Sequence, residues 1–393
     1  MDSRWDFIDS YLEKRKRDGL LREPVSLEAA GPGGRIVVRG RMMLNLASND
    51  YLGLRGDPRL REAAGEAAEV WGAGSGSSRL VSGTTEIHEG LEEELARFHG
   101  TESAVTFSSG YAAGAGVIQA LCGQGRASRV YLDRLCHACL YDGARLAGAG
   151  IRRFRHNDPD HLEYYLREDR ALDCRKLVVT DTVFSMDGDR APLAELALVC
   201  RKYSVLFLVD EAHAVGVLGP GGRGLAAKEG LESEDVLVMG TLGKAFGVSG
   251  AYLACPRKVR SYLVNTCRSF IYSTAPPPAL IAAVRASLEI ITGADSLRTR
   301  LTQTAARFRS HLARLGVDTL ASSTQIVPAV VGEVPRAVRM HEKLKELGVF
   351  APAIRPPTVP EGTSRVRFSL TAALDDRDTE FLLQAVTRAV EGL

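Results

Sequence analysis

The chain has 393 residues, enough for two or three domains around a large core, and its 45% apolar and 25% charged content is that of an ordinary globular protein. Its 50 Lys and Arg against 48 Asp and Glu give a formal charge of only +2, with both signs mixed along the chain, so nothing calls for nucleic acid as a partner. No apolar run approaches the ~18 residues needed to span a bilayer, which excludes a helical membrane segment from the expectations.

Residues 1–20 place Trp5, Ile8 and Leu12 at helical spacing among Lys and Arg, which predicts an amphipathic helix. That stripe needs a cover, either the body of the protein or a partner subunit. The stretch is charged from its second residue and has no secretory h-region, so a cytoplasmic setting is expected. The seven cysteines agree with this, being scattered and odd in number. Cys136 and Cys139 form one C-x-x-C, but no second pair exists and His137 lies between them. Buried small side chains are the simpler reading, and no metal is expected.

A Gly-rich turn at 31–35 separates short strand-like runs, and RMMLNLASNDYLGL (41–54) follows. From about 100 to 255, short apolar runs alternate with helical patterns: AVTF before YAAGAGVIQAL, KLVVTDTVFS before APLAELALVCRKY, then VLFLVDEAH and DVLVMGTLGK. Near-continuous Val/Leu/Phe runs separated by helices imply a mostly parallel sheet covered on both faces. STAPPPAL (273–280) breaks the pattern, and a long helical stretch over 279–316 is predicted after it. Strands (IVPAVV, SRVRFSL) then alternate with helices to the end, an α+β pattern. The expected division is 1–42 for the N-terminal helix and short strands, 43–284 for a large domain, and 285–393 for a smaller C-terminal domain.

Ligands of such sheets bind beyond the carboxyl ends of the strands, so those positions carry the chemistry. AVTF runs into Ser108-Ser-Gly-Tyr-Ala112, where small residues and exposed N–H groups at a helix start make an anion cup. VLFLV ends in Asp210-Glu-Ala-His213. A carboxylate there needs a cation or donor, either a structural partner or a protonated ring nitrogen. DVLVMG leads to Thr241-Leu-Gly-Lys244. A phosphate-binding loop fails here, because Val238 and Ala245 stand where a glycine and a hydroxyl are required. A lysine with few charge partners has reason to lose its proton and can attack an aldehyde. VYLDRLCH places His137 after another apolar run, where its flat ring could stack on another. Each signal alone also has a structural reading. Together they describe one ligand with an aldehyde, a basic ring nitrogen, a flat ring and a phosphate, and pyridoxal phosphate (PLP) has all four. A Rossmann oxidoreductase needs G-x-G-x-x-G directly after a strand, whereas Gly72-Ala-Gly-Ser-Gly76 has other spacing. A non-catalytic binding module has no need of a lysine, an aspartate and two histidines at successive strand ends.

These residues resemble the α-oxoamine synthases, fold-type I PLP enzymes that join a small amino acid to an acyl thioester with loss of CO2. The likeness runs through SNDYLGL (48–54), GSGSSRLVSGTTEIHEGLEEELARF (74–98), FSSGYAA (107–113), DRLCHACL (133–140), FSMDGDRAPLAEL (184–196), VDEAHAVGVLGPGGRG (209–224), GTLGKAFGVSGAY (240–252) and IYSTAPPP (271–278). It implies an α/β fold whose large domain holds a mostly parallel seven-stranded sheet beside a smaller α+β domain. It also implies Lys244 as Schiff-base lysine, Asp210 on the pyridinium nitrogen, His137 stacked on the ring, and His213 and Ser185 at the ring oxygen. Gly110, Tyr111 and Thr241 are implied on the phosphate, with Ser273 and Thr274 reaching a phosphate across a homodimer interface. Asn49, Arg355, Thr358 and, near the N-terminus, Arg22 are implied at the substrates. Segments 152–158, 183–189 and 353–372 are most similar to members that use L-alanine and a pimeloyl thioester, on coenzyme A or an acyl carrier protein. Relatives taking glycine or serine with acetyl, succinyl or palmitoyl thioesters share the scaffold. One departure is Asp181, where the family pattern has Glu.

Overall fold

The computed structural model describes residues 4–31, 33–125, 127–231 and 235–393, which divide into two compact units: 49–185 with 189–300, and 1–48 with 186–188 and 301–393.

The first unit is built on a seven-stranded sheet. Its strands are β1 (Ser103–Phe107), β2 (Ser128–Asp133), β3 (Gly150–Phe154), β4 (Arg175–Asp181), β5 (Leu206–Asp210), β6 (Val236–Thr241) and β7 (Ala251–Cys255), in spatial order β1-β7-β6-β5-β4-β2-β3. Pairs β6-β5, β5-β4, β4-β2 and β2-β3 are parallel, while β7 runs antiparallel to both neighbours. The seven-stranded, mostly parallel sheet expected from the resemblance is therefore present. Strands β1, β6 and β7 are buried at every position, as residues covered on both faces must be. Gly240 serves close packing on β6: a Cβ there would lie 2.4 Å from the ring of Tyr252 on β7. Tyr252 can then pass its hydroxyl to His99 at 2.6 Å. The small-residue helix Gly110–Cys122 follows β1, capped by the Ser109 hydroxyl, which accepts the Ala112 N–H at 3.1 Å.

The second unit holds two small sheets. Ile326–Gly332, Ser364–Ser369 and Ala353–Ile354 pair antiparallel, and helices Val334–Glu346 and Asp376–Glu391 belong to the same unit. Ala29–Ala30, Arg35–Val38 and Arg41–Asn45 pair in sequence, and Val349–Phe350 adds parallel to Arg41–Asn45. The N-terminal helix forms over Asp6–Arg17 with no buried residue; Trp5, Phe7 and Tyr11 are all exposed.

Two expectations differ from what is found. The helical stretch over 279–316 is two helices, Pro278–Thr292 and Asp295–Arg314. The break sits at Gly293, where the Ile291 carbonyl accepts both the Ala294 N–H at 3.1 Å and the buried Arg298 guanidinium at 2.6 Å. The compact units also divide the chain elsewhere than at 42 and 284. Residues 1–48 group with the C-terminal part because Arg41–Asn45 pairs with Val349–Phe350, and Pro278–Thr292 stays with the large unit because it packs on Pro58–Trp71.

Candidate active site

The carboxyl ends of β4, β5 and β6 meet the start of helix Gly110–Cys122 around one cavity of about 300 Å³. After β6 the chain turns through Leu242 and Gly243 into Lys244. That loop is closed by backbone bonds from Leu242 to Gly250 (2.9 Å), Val248 to Leu242 (3.0 Å) and Gly247 to Lys244 (2.9 Å). Phe246, fully buried, anchors it, and Ser287 donates to the Phe246 carbonyl at 2.8 Å. The lysine thus projects from a braced turn, although its sequence is glycine-rich.

Lys244 Nζ lies 3.0 Å from His213 Nε2, and His213 Nδ1 lies 2.6 Å from the hydroxyl of Tyr51. Tyr51 is fully buried, and its oxygen is also 3.1 Å from Asn49 Oδ1. The chemistry of this chain follows from proton counting. The phenol has one proton to give. When it goes to Asn49, Tyr51 accepts from Nδ1–H and leaves Nε2 as a bare acceptor for a lysine N–H. When it goes to Nδ1, Nε2–H faces the lysine as a donor. The imidazole tautomer and the protonation of Lys244 are coupled through Tyr51.

Asp181 and Asp210 are opposed in register on β4 and β5, and both are buried. Burial, then the neighbouring Asp210 charge, push the Asp181 carboxyl far above the usual range. Burial also raises Asp210, but Lys244 and the Ala212 N–H, 2.9 Å from Asp210 Oδ1, oppose it. Burial thus favours a proton on the pair, while Lys244 and the Ala212 N–H favour charge on Asp210. Asp181 Oδ1 accepts the backbone N–H of His137 at 3.2 Å, at the head of helix Ala138–Leu146. His137 lines the same cavity.

At the helix start, Gly110 is needed for close approach: a Cβ would fall 2.8 Å from Thr241 Cγ2. Thr241 Oγ1 is buried and has no hydrogen-bond partner among the described residues. An orphan hydroxyl beside the first N–H groups of a helix, in a cavity also lined by Gly110 and Tyr111, suits a phosphate. The donor set therefore fits PLP: amine, buried carboxylate, imidazoles and anion cup.

Of the expected site residues, Asn49, Gly110, Tyr111, His137, Asp210, His213, Thr241 and Lys244 line the cavity. Ser185 and Ser273 are half-buried, Thr274 is exposed, and none of the three lines it; Thr274 bridges to Ser78. Arg22, Arg355 and Thr358 belong to the other unit, where Arg22 donates to Thr358 Oγ1 at 2.9 Å and Arg355 donates to the Gly19 carbonyl. Cys136 and Cys139 are buried, as small core side chains are, and Cys139 Sγ stands 3.0 Å from His137 Nδ1. Tyr51 escaped sequence reasoning, as did Glu211. Glu211 is fully buried and accepts from Ala226 N (2.6 Å), Thr182 Oγ1 (2.9 Å) and Leu225 N (3.1 Å). Burial nonetheless raises its pKa to about 7. A larger groove of about 1190 Å³, walled by Trp71, Phe98 and Arg285, has no lysine, histidine, cysteine or serine on its lining.

Residues 41–386 match the family model of class I and II aminotransferases. The chain is 48% identical over 383 residues to an 8-amino-7-oxononanoate synthase of Geobacter sulfurreducens, covering 97% of each chain. It is 47% identical over 390 residues to one of Anaeromyxobacter dehalogenans, covering 99% of this chain and 96% of the relative. Among solved structures, SPT with a PLP internal aldimine superposes with a TM-score of 0.93 at 31% identity, covering 100% of this chain and 99% of that one.

Proposed function

The chain belongs to the class I and II aminotransferase family and, within it, to the α-oxoamine synthases; from that premise we propose how its cavity performs an acyl transfer in biotin biosynthesis. The enzyme is a PLP-dependent acyltransferase. It condenses L-alanine with a pimeloyl thioester and releases CO2, the free thiol and 8-amino-7-oxononanoate. The observation that carries this reading is the juxtaposition of Lys244, His213 and Asp210 in one cavity, in a chain 48% identical to a synthase of that product.

PLP, when bound, supplies a carbonyl that captures an amine and a ring that accepts the electron pair left when a bond at the amino acid's α-carbon breaks. The protein's part is binding, orientation and proton transfer. Lys244 would hold the cofactor, and its free Nζ would take the α-proton of the amino acid. His213 receives or returns a proton at Nε2, with Tyr51 setting its tautomer. Asp210 would carry the negative charge that keeps a ring nitrogen protonated, beside Asp181, whose carboxyl burial pushes far above the usual range. His137 would cover the ring, and Gly110, Tyr111 and Thr241 would hold the phosphate. Asn49 meets the substrate from the Tyr51 side, and Arg22, Arg355 and Thr358 offer a guanidinium pair and a hydroxyl suited to substrate carboxylates.

The protein acts as a homodimer in this reading. Support comes from exposed Leu80, Val81 and Tyr272, next to the Ser78–Thr274 bridge, where Ser273 and Thr274 would serve a partner's phosphate. A cytoplasmic setting is supported by seven free cysteines; no helix among the described residues is long and apolar enough to cross a membrane. The acyl group arrives on coenzyme A or on a carrier protein.

The test is thiol release by the PLP-loaded enzyme given L-alanine, glycine or serine, each with pimeloyl-, acetyl-, succinyl- or palmitoyl-CoA. Release that depends on alanine and pimeloyl-CoA together is expected. Release with serine and palmitoyl-CoA instead would move the chain to the activity of its structural neighbour.

A further inference from the structure

We propose that His156 is a positioning residue: held between Asp133 and Asp189, its ring fixes the two loops that carry His137 and Ser185, and so sets how those side chains stand against the cofactor. The proposal rests on the cofactor reading above and concerns a residue outside the cavity lining.

His156 leaves the end of β3. Its Nδ1 lies 3.0 and 3.2 Å from the two carboxylate oxygens of Asp133, and its Nε2 lies 2.7 Å from Asp189 Oδ2. Both ring nitrogens face carboxylate oxygens. Only the imidazolium has two N–H groups to donate, so the ring is cationic in this setting. Burial alone would lower its pKa; the bonds to Asp133 and Asp189 outweigh that and raise it to about 9.

Each carboxylate organises one loop. Asp133 ends β2, fully buried, and its Oδ1 accepts the Leu135 N–H at 2.8 Å while its backbone carbonyl accepts the Cys136 N–H at 3.1 Å. That turn delivers His137 to the head of its helix. Asp189 is buried, and its backbone carbonyl takes the Phe184 N–H at 3.1 Å. The adjoining Val183–Arg190 bridge closes the hairpin that carries Ser185. Phe184 meets the His156 ring edge-on, with centroids 4.3 Å apart and planes at 85°. Asn157 reinforces the clamp: its N–H reaches Asp133 Oδ2 at 2.8 Å, and its amide reaches Asp189 Oδ2 at 2.8 Å and the Arg190 carbonyl at 3.1 Å. It adopts φ 54° to do so, a left-handed conformation that a non-glycine residue holds only when its surroundings insist.

A half-buried cation between two buried carboxylates is a poor device for stability, because well-packed apolar groups do as well. It is a good device for fixing geometry, since each charge accepts few alternative arrangements. None of Asp133, His156 and Asp189 lines the cavity, so the cluster acts through the loops it holds.

The test compares the wild-type holoenzyme with H156N and with H156N/D189N, which restores the wild-type charge count. In H156N, amide hydrogen exchange at 134–139 and 183–185 should rise about tenfold or more, in apo and holo protein alike, while β5 and β6 keep wild-type exchange. The visible circular dichroism of bound PLP should change, and kcat should fall about tenfold or more with KM for the thioester little changed. H156N/D189N should recover at least half of the loss on a logarithmic scale. Unchanged exchange in both loops with unchanged cofactor dichroism would overturn the proposal. So would a uniform rise through β5 and β6, which marks a merely structural residue, or a double variant no better than the single one. Exchange and dichroism need no substrate, so a wrong substrate assignment leaves this test intact.

Discussion

Removing one oxygen from Tyr51 isolates the proton chain behind Lys244. Y51F keeps the ring, which is fully buried, and deletes the 2.6 Å contact to His213 Nδ1 and the 3.1 Å contact to Asn49 Oδ1. Losing two buried hydrogen bonds, one to an imidazole that gains charge during turnover, costs about 1–3 kcal/mol. If that cost falls on the reacting arrangement, kcat/KM drops about 10- to 100-fold, since about 1.4 kcal/mol is a factor of ten. The assay is thiol release with L-alanine and pimeloyl-CoA for wild type, Y51F, H213N and the double variant. PLP absorbance serves as a loading control, and the melting midpoint should stay within about 4 °C. The double variant should lose little more than H213N alone, because Tyr51 acts through that ring. A kcat/KM for Y51F within twofold of wild type would refute the coupling. Additive losses would show that Tyr51 acts elsewhere.

Replacing Lys244 with alanine should leave the melting curve close to wild type and the phosphate cup able to bind PLP, more weakly, while lowering turnover more than about a thousandfold; measurable release near the wild-type rate would remove Lys244 from the mechanism. Glu211 bears on pH: burial lifts its folded-state pKa from 4.5 to about 7, so the folded protein holds the extra proton between those values. The strain of its ionised form is present above pH 7 and relieved as pH falls towards 4.5, by at most about 3 kcal/mol. The gap in melting temperature between wild type and E211Q should therefore shift in favour of wild type from pH 8 to pH 5, and a constant gap refutes the assignment. G240A, whose Cβ would stand 2.4 Å from the Tyr252 ring, should destabilise by about 1–3 kcal/mol in urea unfolding without altering KM; G240A combined with Y252F, which keeps the ring, should not restore the loss.

The sheet was readable because its strands are near-continuous apolar runs, and the rule that ligands sit beyond parallel strand ends led directly to Asp210 and Lys244, with His137 four residues past the end of β2. Tyr51 was not readable: it lies 162 residues from His213, at no strand end, inside a motif whose spacing carries no periodicity. Glu211 was hidden by its neighbours, since an acid beside Asp210 and His213 reads as part of their chemistry rather than as the anchor of the turn at 225–226. The break at Gly293 is braced by a side chain five residues later, Arg298, whose guanidinium donates to the Ile291 carbonyl beside a backbone donor, which no local propensity encodes. Ser273, Thr274 and the Arg22–Arg355 pair escape the single-chain site description for another reason. The roles expected for the first two involve a second copy, and the arginines reside in a different compact unit.

The small unit is assembled from both ends of the polypeptide, with Arg41–Asn45 paired to Val349–Phe350 across some three hundred residues. During synthesis the first strands emerge long before their partner exists, while residues 49–300 hold most of what the large unit needs. Vectorial folding should therefore complete the cofactor-binding half first and leave an unpaired edge waiting for the last hundred residues. Chains arrested before Val349 should bind chaperones through that edge, and a circular permutant joining the termini should close the small unit without the delay.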